Sequence, residues 1–495
     1  MQSYIIDEET GEKLKSPMSD TGAGSKNQVE GFILSAPTSI QVDKTQLSWL
    51  PAIGNTEEQS LYTYNIYLSA NEKDGYTLDE TVSLTPSEDG RIYHNVKVAE
   101  FYKISTVYNG IESTLSEAAE MLGIDPLEIR RMNFVKVGER MPAYYNELLE
   151  SCAVEECMDK CREMIGWDEK YPSKDMGNGK VRAVGVGISM QGSGISSVDV
   201  GSVTIKVSDE GHYNMMIGAA DMGTGCDTTL AQIAADCLDC DVDDIVVYGV
   251  DTDISPYDSG SYASSTAYVT GNATIKACTE LKKKICAIGA RMLEVEADAV
   301  DFDGKVVYVK GNEEKNVTLK EVSTKNMCGC ELTLEVSASH TSPKSPPPFM
   351  ASMAEVEVDT ETGEIKLVDF VSCVDCGTPI NPALVKIQVE GGVAQGIGMA
   401  LYEDVTYTDR GMIAENSFMQ YKIPSRVDLP TFRTEIAKGS YEPTGPFGVK
   451  SVGEVVINTA SPAIAHAVAN ATGVRIRELP ITPEKILRGL HKIGE

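Results

Sequence analysis

The stretch GPFGVKSVGE, residues 445–454, ends in a single carboxylate, Glu454, after glycines and a proline and with no other acid beside it. A carboxylate with backbone room around it suits a general base, because it can reach a proton held close to another group. Burial in a dry pocket would raise its pKa toward neutrality without a second acid. Lys450, four residues earlier, could orient Glu454, bind an anion, or sit as a solvated surface lysine. Three other segments also place small residues where a strand or loop gives way to a helix: DMGTGCDT at 221–228, DSGSYASSTAYVTGN at 258–272 and KIQVEGGVAQGIG at 386–398. Bare amides and hydroxyls at helix starts favour anions, and glycine permits close approach. Each segment alone reads as a tight connection, but the four together point to a large anionic cofactor. The run GVGISMQGSG at 185–194 lacks the GxGxxG spacing, so it predicts no nicotinamide site.

The elements that must carry these segments follow from periodicity. Residues 1–30 are polar and read as a flexible lead-in. Residues 31–113 show period-2 alternation with turn signals, as in LYTYNIYL and FYKISTVYNG, and predict an antiparallel β-sandwich. With Trp49 in a second strand and Tyr102–Gly110 in a sixth, this part resembles a fibronectin type III module. From residue 114 the texture turns helical: Ser116 reads as an N-cap, Gly123 as a left-handed stop, and Asp125-Pro126 as cap and first turn of a second helix. A third helix is expected over 146–167, with Cys157 and Cys161 on one face. Beyond Val181 strands alternate with long helices, which predicts an α+β domain over 114–495 with a proline-rich link near 341–349.

Composition narrows the partners. The 495-residue chain has a formal net charge of −31 at pH 7, which repels phosphate backbones and anionic lipid. Neither nucleic acid nor a membrane is expected as a partner; no apolar run is long enough for a span and the start lacks the regions of a signal peptide, so the expected location is cytoplasmic. The twelve cysteines include C-x-x-C pairs at Cys237/Cys240 and Cys373/Cys376, too far apart in sequence to read as one metal site. Reduced, mostly buried thiols are expected, with no metal ligands and no iron–sulfur cluster in this chain.

In this order, the four small-residue segments resemble the second cofactor-binding domain of the molybdenum hydroxylases, the xanthine dehydrogenase and aldehyde oxidase family. ADMGTGCDTTLAQIAA is similar to the family's MGQG segment, with Thr224 where glutamine is commoner, and carries over Gly223, Thr224 and Gly225. SGSYASSTAYVTGNA is similar to its pterin-contacting segment and carries over Ala263, Ser264 and Thr266. IQVEGGVAQGIG places Gln388 at the pterin-binding glutamine, and FGVKSVGE places Glu454 at the catalytic glutamate, with Lys450 beside the cofactor. The resemblance implies molybdopterin with molybdenum, alone or as a cytosine dinucleotide, and water-derived hydroxylation of an aldehyde or a purine-like N-heterocycle. The family's GGxFGxK-like and RGFG-like loops, which lie in a first cofactor-binding domain, do not occur here. The implied partners are therefore a subunit carrying that first domain, plus iron–sulfur and flavin subunits. The competing reading is an inactive, recombined remnant that acts as a binding protein through its β-sandwich.

Overall fold

The computed structural model describes residues 115–141, 144–328 and 334–494, and before them the backbone of ten short strands between Tyr4 and Tyr108. The chain divides into two compact units, Met1–Leu149 and Glu150–Glu495. In the first, strands Thr38–Asp43, Gln46–Leu50 and Ile92–Asn95 form one three-stranded antiparallel sheet. Strands Tyr62–Ser69, Thr77–Ser83 and Phe101–Tyr108 form another. Closure of these sheets into a fibronectin-like sandwich around Trp49 would rest on side chains outside the described residues.

Two helices, Leu115–Leu122 and Pro126–Arg131, also fall in the first unit, whereas the change of texture in the sequence places the boundary near residue 113. Gly123 takes φ +66°, and Asp125 caps the second helix by accepting from the Leu127 amide at 2.6 Å, as the sequence implies. Ser116 differs. The helix begins one residue before it, and its hydroxyl accepts from Arg130 Nη2 at 2.9 Å instead of capping.

The second unit runs α1 (Val154–Ile165), β1 (Ser173–Gly177), β2 (Lys180–Met190), β3 (Val200–Val207), β4 (Tyr213–Ile217), α2 (Cys226–Leu238), β5 (Ile245–Gly249), α3 (Thr266–Leu293), β6 (Glu335–Thr341), β7 (Phe349–Asp359), β8 (Ile365–Asp375), α4 (Pro382–Leu401), β9 (Arg433–Ile436), α5 (Ala460–Thr472). The expected helix over 146–167 is shorter, because Glu147–Leu148 pairs as a strand with Arg140–Met141. Cys157 and Cys161 are both fully buried on α1.

Two sheets organise this unit. One has the order β1-β2-β7-β8-β9, antiparallel except for the parallel β8/β9 edge. Its core joins Val356, Phe370, Val389, Ile397 and Ile464, so α4 and α5 pack on it. The glycines of GVGIS explain the close seat of α5: a Cβ at Gly185 would lie 2.3 Å from the Ala463 carbonyl, and one at Gly187 2.3 Å from the Thr459 carbonyl. The other sheet has the order β5-β4-β3-β6 and is covered by α2 and α3 around Ile205, Tyr213, Leu230, Ile233 and Leu281. Gly201 on β3 lets α3 approach, since a Cβ there would meet Thr270 Oγ1 at 2.5 Å.

The proline-rich stretch between β6 and β7 is not a surface linker. Ser345 and residues 346–348 are buried. Ser345 Oγ donates to the Gly194 carbonyl at 2.5 Å, and Ser193 Oγ donates to the Pro346 carbonyl at 2.6 Å. The prolines pass from one sheet to the other through the interior, where a segment with few backbone donors leaves few of them to satisfy.

Candidate active site

The site is assembled where the end of β2, the start of α3 and the loop before α5 meet. Glu454 projects from that loop. Its Oε2 accepts from Gln191 Nε2 at 2.9 Å and from Ser264 Oγ at 3.4 Å, while its amide donates to Ser264 Oγ at 3.0 Å. Gly453 makes room for this pairing, since a Cβ there would lie 3.3 Å from Ser264 Oγ. Two contacts therefore fix the carboxylate, both on one of its two oxygens, and a third fixes the backbone that carries it. Glu454 is exposed in this chain, so the dry pocket expected from the sequence is not supplied by these residues.

Its neighbours are held from several directions. Gly192 accepts from Ser451 Oγ at 2.8 Å, Ser193 Oγ accepts from the Ser451 amide at 3.0 Å, and the Gly194 amide donates to the Ala263 carbonyl at 2.8 Å. Ala263 and Ser264 take φ +49° and +56°, a left-handed conformation uncommon for residues with a side chain. That turn sets the Ser264 hydroxyl on Glu454 immediately before α3 begins. Thr266, in the first turn of α3, donates to Ser261 Oγ at 2.9 Å.

A second group brings together Gly223, Gly225 and Gln388. Gln388 Nε2, on α4, donates to the Gly223 carbonyl at 3.3 Å. Asn381 Nδ2, the cap of α4, donates to Gln232 Oε1 on α2 at 3.1 Å. Gly225, at φ +74°, seats the start of α2 against Leu384, whose Cδ1 would lie 2.6 Å from a Cβ there. Gly223 opens onto free space. The expectation of bare amides in this loop needs correction, because Asp221 occupies them. Its carboxylate accepts from Gly223 at 2.9 Å, Gly225 at 3.1 Å and Asp227 at 3.4 Å. Partial burial pushes the Asp221 pKa up, but the amides of Gly225, Gly223, Asp227 and Thr224 outweigh it and hold it below the usual value.

Lys450 also departs from expectation. It neither reaches the surface nor presents a charge to an anionic ligand: its side chain is fully enclosed and its Nζ lies 2.7 Å from Asp375 Oδ2, beneath the Phe349 ring. Asp375 in turn accepts from the Ala153 amide at 2.8 Å and the Gly377 amide at 3.0 Å. The pair is a buried, hydrogen-bonded brace under the loop that carries Glu454. The glycines of α4 likewise do structural work. A Cβ at Gly392 would lie 2.2 Å from Val456 Cγ2, and one at Gly396 2.5 Å from the Ile457 carbonyl. They let the turn that follows Glu454 rest directly on the helix.

Sequence reasoning missed Gln191. It lies in the GVGISMQGSG run, whose glycine spacing excludes a nucleotide fingerprint and draws no attention to the glutamine. The available signal was a polar residue between a strand end and a Gly-Ser-Gly turn. The described cysteines are free, and burial is the main force raising the thiols of Cys226, Cys240 and Cys376 to about 12, which keeps them protonated at neutral pH. Among the described residues, no helix is long and apolar enough to cross a membrane.

Comparison with known proteins gives the family of the chain. The pattern of the molybdopterin cofactor-binding domain family matches residues 160–430. The chain is 37% identical over 396 residues to the probable hypoxanthine oxidase XdhD of Escherichia coli (strain K12), covering 77% of this chain and 41% of that protein. It is 31% identical over 404 residues to the putative xanthine dehydrogenase molybdenum-binding subunit XdhA of the same strain, covering 79% and 53%. Among solved structures it is similar to quinoline 2-oxidoreductase from Pseudomonas putida 86, with a TM-score of 0.70 and 28% identity over 76% of this chain and 51% of that one. It is also similar to CO dehydrogenase from Oligotropha carboxidovorans, with a TM-score of 0.68 and 26% identity over 76% and 50%. The mixed α/β architecture is thus that of the CO dehydrogenase chain, and this chain spans about half the length of the curated relatives it matches. Matched over more than half its length by the family's own pattern, the chain belongs to the molybdenum hydroxylases as a molybdopterin cofactor-binding domain.

Proposed function

We propose that this chain is the second cofactor-binding half of a molybdenum hydroxylase that adds a water-derived oxygen to an electron-poor carbon of a purine-like N-heterocycle or an aldehyde. The observation that carries the proposal is Glu454: a solvent-reachable carboxylate fixed by Gln191 and Ser264 at the meeting of three elements. The residues present fit a pterin. Gly223 leaves open space beside its backbone, Gln388 offers an amide, and Ser264 and Thr266 offer hydroxyls at a helix start. Gly225 and Ala263 shape the turns that present them, and Thr224 lies between the two loop glycines. When bound, the molybdenum cofactor supplies the redox chemistry, with the pterin free or as a cytosine dinucleotide.

Within that chemistry Glu454 Oε1, which carries neither side-chain bond, receives a proton while Oε2 stays tied to Gln191 and Ser264. Exclusion of water from the base falls to polypeptide beyond the residues described here, because Glu454 is exposed among them. A subunit carrying the first cofactor-binding domain, and the iron–sulfur and flavin subunits that carry electrons away, are the proposed partners. The test is the assembled enzyme with Glu454→Gln. Turnover should fall by about 10²–10⁴-fold while molybdenum and pterin content stay at the wild-type level. Retained turnover would sink the assignment of the base, and an assembled wild-type complex without molybdenum would sink the cofactor reading.

A further inference from the structure

The parallel strands β8 and β9 leave their sheet at the same end, and α4 begins just beyond β8. In open α/β sheets the crevice outside the carboxyl ends of such strands is where ligands lodge. Here that crevice is a cavity of about 470 Å³, walled by Thr378, Lys386, Thr434, Ile436, Lys438 and Ser440 among others, a volume suited to a small molecule. Gln388, which reaches the Gly223 loop, follows Lys386 by two residues, about 200° around the helix. The cavity and the Gly223 loop therefore occupy different flanks of α4. Both strand exits are pinned. The Gly377–Val449 bridge and the Thr378 amide, which donates to the Gly448 carbonyl at 2.8 Å, fix the loop after β8. After β9, the Lys438 and Gly439 amides donate to the two oxygens of Glu156 at 3.0 and 2.9 Å.

The wall holds two buried hydroxyl oxygens with no hydrogen-bond partner among the described residues, Thr434 Oγ1 and Ser440 Oγ. Ser440 is only 7% exposed, and a polar group so enclosed costs stability until something satisfies it. Thr434 shares a face of β9 with Ile436, which packs against the core that α4 covers. Lys386 and Lys438 make no ion pair among the described residues, in a chain with 74 acidic against 43 basic side chains. Of the nearby acids, Glu435 also borders the cavity but alternates to the opposite, exposed face of β9, and Glu156 is committed to the two amides. The surplus is one of donors and positive charge. Two ammonium groups and two hydroxyls match the several oxygens of a phosphate, while Pro379, Pro382 and Ile436 offer an apolar wall to whatever carries it. We propose that this cavity binds a phosphate group, borne by a small organic phosphate or present as the free ion, at a site separate from the proposed pterin site.

The experiment titrates the full chain with inorganic phosphate, 5′-AMP and adenosine, read by calorimetry and by the thermal unfolding midpoint. Phosphate or AMP at up to about 10 mM should raise the midpoint, and adenosine should not. Binding of both anions marks a phosphate ester that reaches the apolar wall; binding of phosphate alone marks the free ion. Lys386→Gln and Lys438→Gln should each weaken binding about tenfold, the loss of one charge-assisted contact, while Lys315→Gln, outside the cavity, should not. Ser440→Ala separates a ligand contact from a structural one. Without ligand it should leave the midpoint unchanged or raised, because it removes an unpaired hydroxyl, and with phosphate it should lose part of the shift. Three results would overturn the proposal: neither anion binds, adenosine binds as well as AMP, or Gln388→Ala abolishes phosphate binding while Lys386→Gln does not. The readout needs neither molybdenum nor turnover, so its outcome is independent of the catalytic role of Glu454.

Discussion

At the scale of single residues, the site rests on a division between two charges that lie close in sequence. Glu454 is exposed and neutrally tethered, whereas Lys450, four residues before it, is sealed against Asp375. A buried ion pair contributes little net stability, but removing one partner leaves the other charge without compensation. Lys450→Met should therefore destabilise the chain by about 3–5 kcal/mol, measured by chemical denaturation, and replacing Asp375 with Leu in that background should recover part of the loss. If Lys450 instead held a cofactor anion, Lys450→Met would leave the isolated chain's stability unchanged. The sequence showed which acid stands alone, because glycines and small residues around Glu454 mark a backbone that approaches something closely. It could not show that the lysine turns inward, since its partner lies 75 residues earlier at the end of a strand.

Elements were legible where local physics decides them. Asp125 followed by Pro126 began the helix Pro126–Arg131 as cap and first turn, and Gly123 took the left-handed conformation of a stop. What local pattern could not separate was two uses of glycine. Those of the 386–398 segment suggested approach to a ligand, yet Gly392 and Gly396 admit Val456 and Ile457 of their own chain. Glycine inside a helix costs about 1 kcal/mol relative to alanine, which packing against the Glu454 loop offsets. Gly396→Ala, whose methyl would meet the Ile457 carbonyl and Ala460, should lower stability by about 1–3 kcal/mol in a denaturant titration. Gly391→Ala, which meets nothing, should be neutral or slightly stabilising. Equal effects at both positions would reject this account.

At the scale of the whole molecule, acid sensitivity should have two stages. His340, on the edge strand β6, has both ring nitrogens buried without a partner, and burial, with Lys276 nearby, lowers its pKa from 6.5 to about 4. Between these values the unfolded chain binds a proton that the folded chain refuses, so stability present above pH 6.5 is lost as pH falls toward about 4. Carboxylates held below their usual range, such as Asp221, Glu357 and Asp359, add losses that begin at the lower end of that window and continue beneath it. Denaturation midpoints measured from pH 7.5 to 4 should decline, and His340→Leu should flatten the upper stage; an unchanged slope would reject the role of His340. The mixed α/β character of the second unit was readable from alternating strands and helices. Its buried proline seam was not, because a proline-rich string looks like a linker until two sheets close around it.

Asp221 carries a last consequence for the loop around Gly223. By accepting from three amides of its own loop, it makes that turn an internally braced ring whose shape is set by one side chain of this chain, so a single substitution at Asp221 would release all three amides at once.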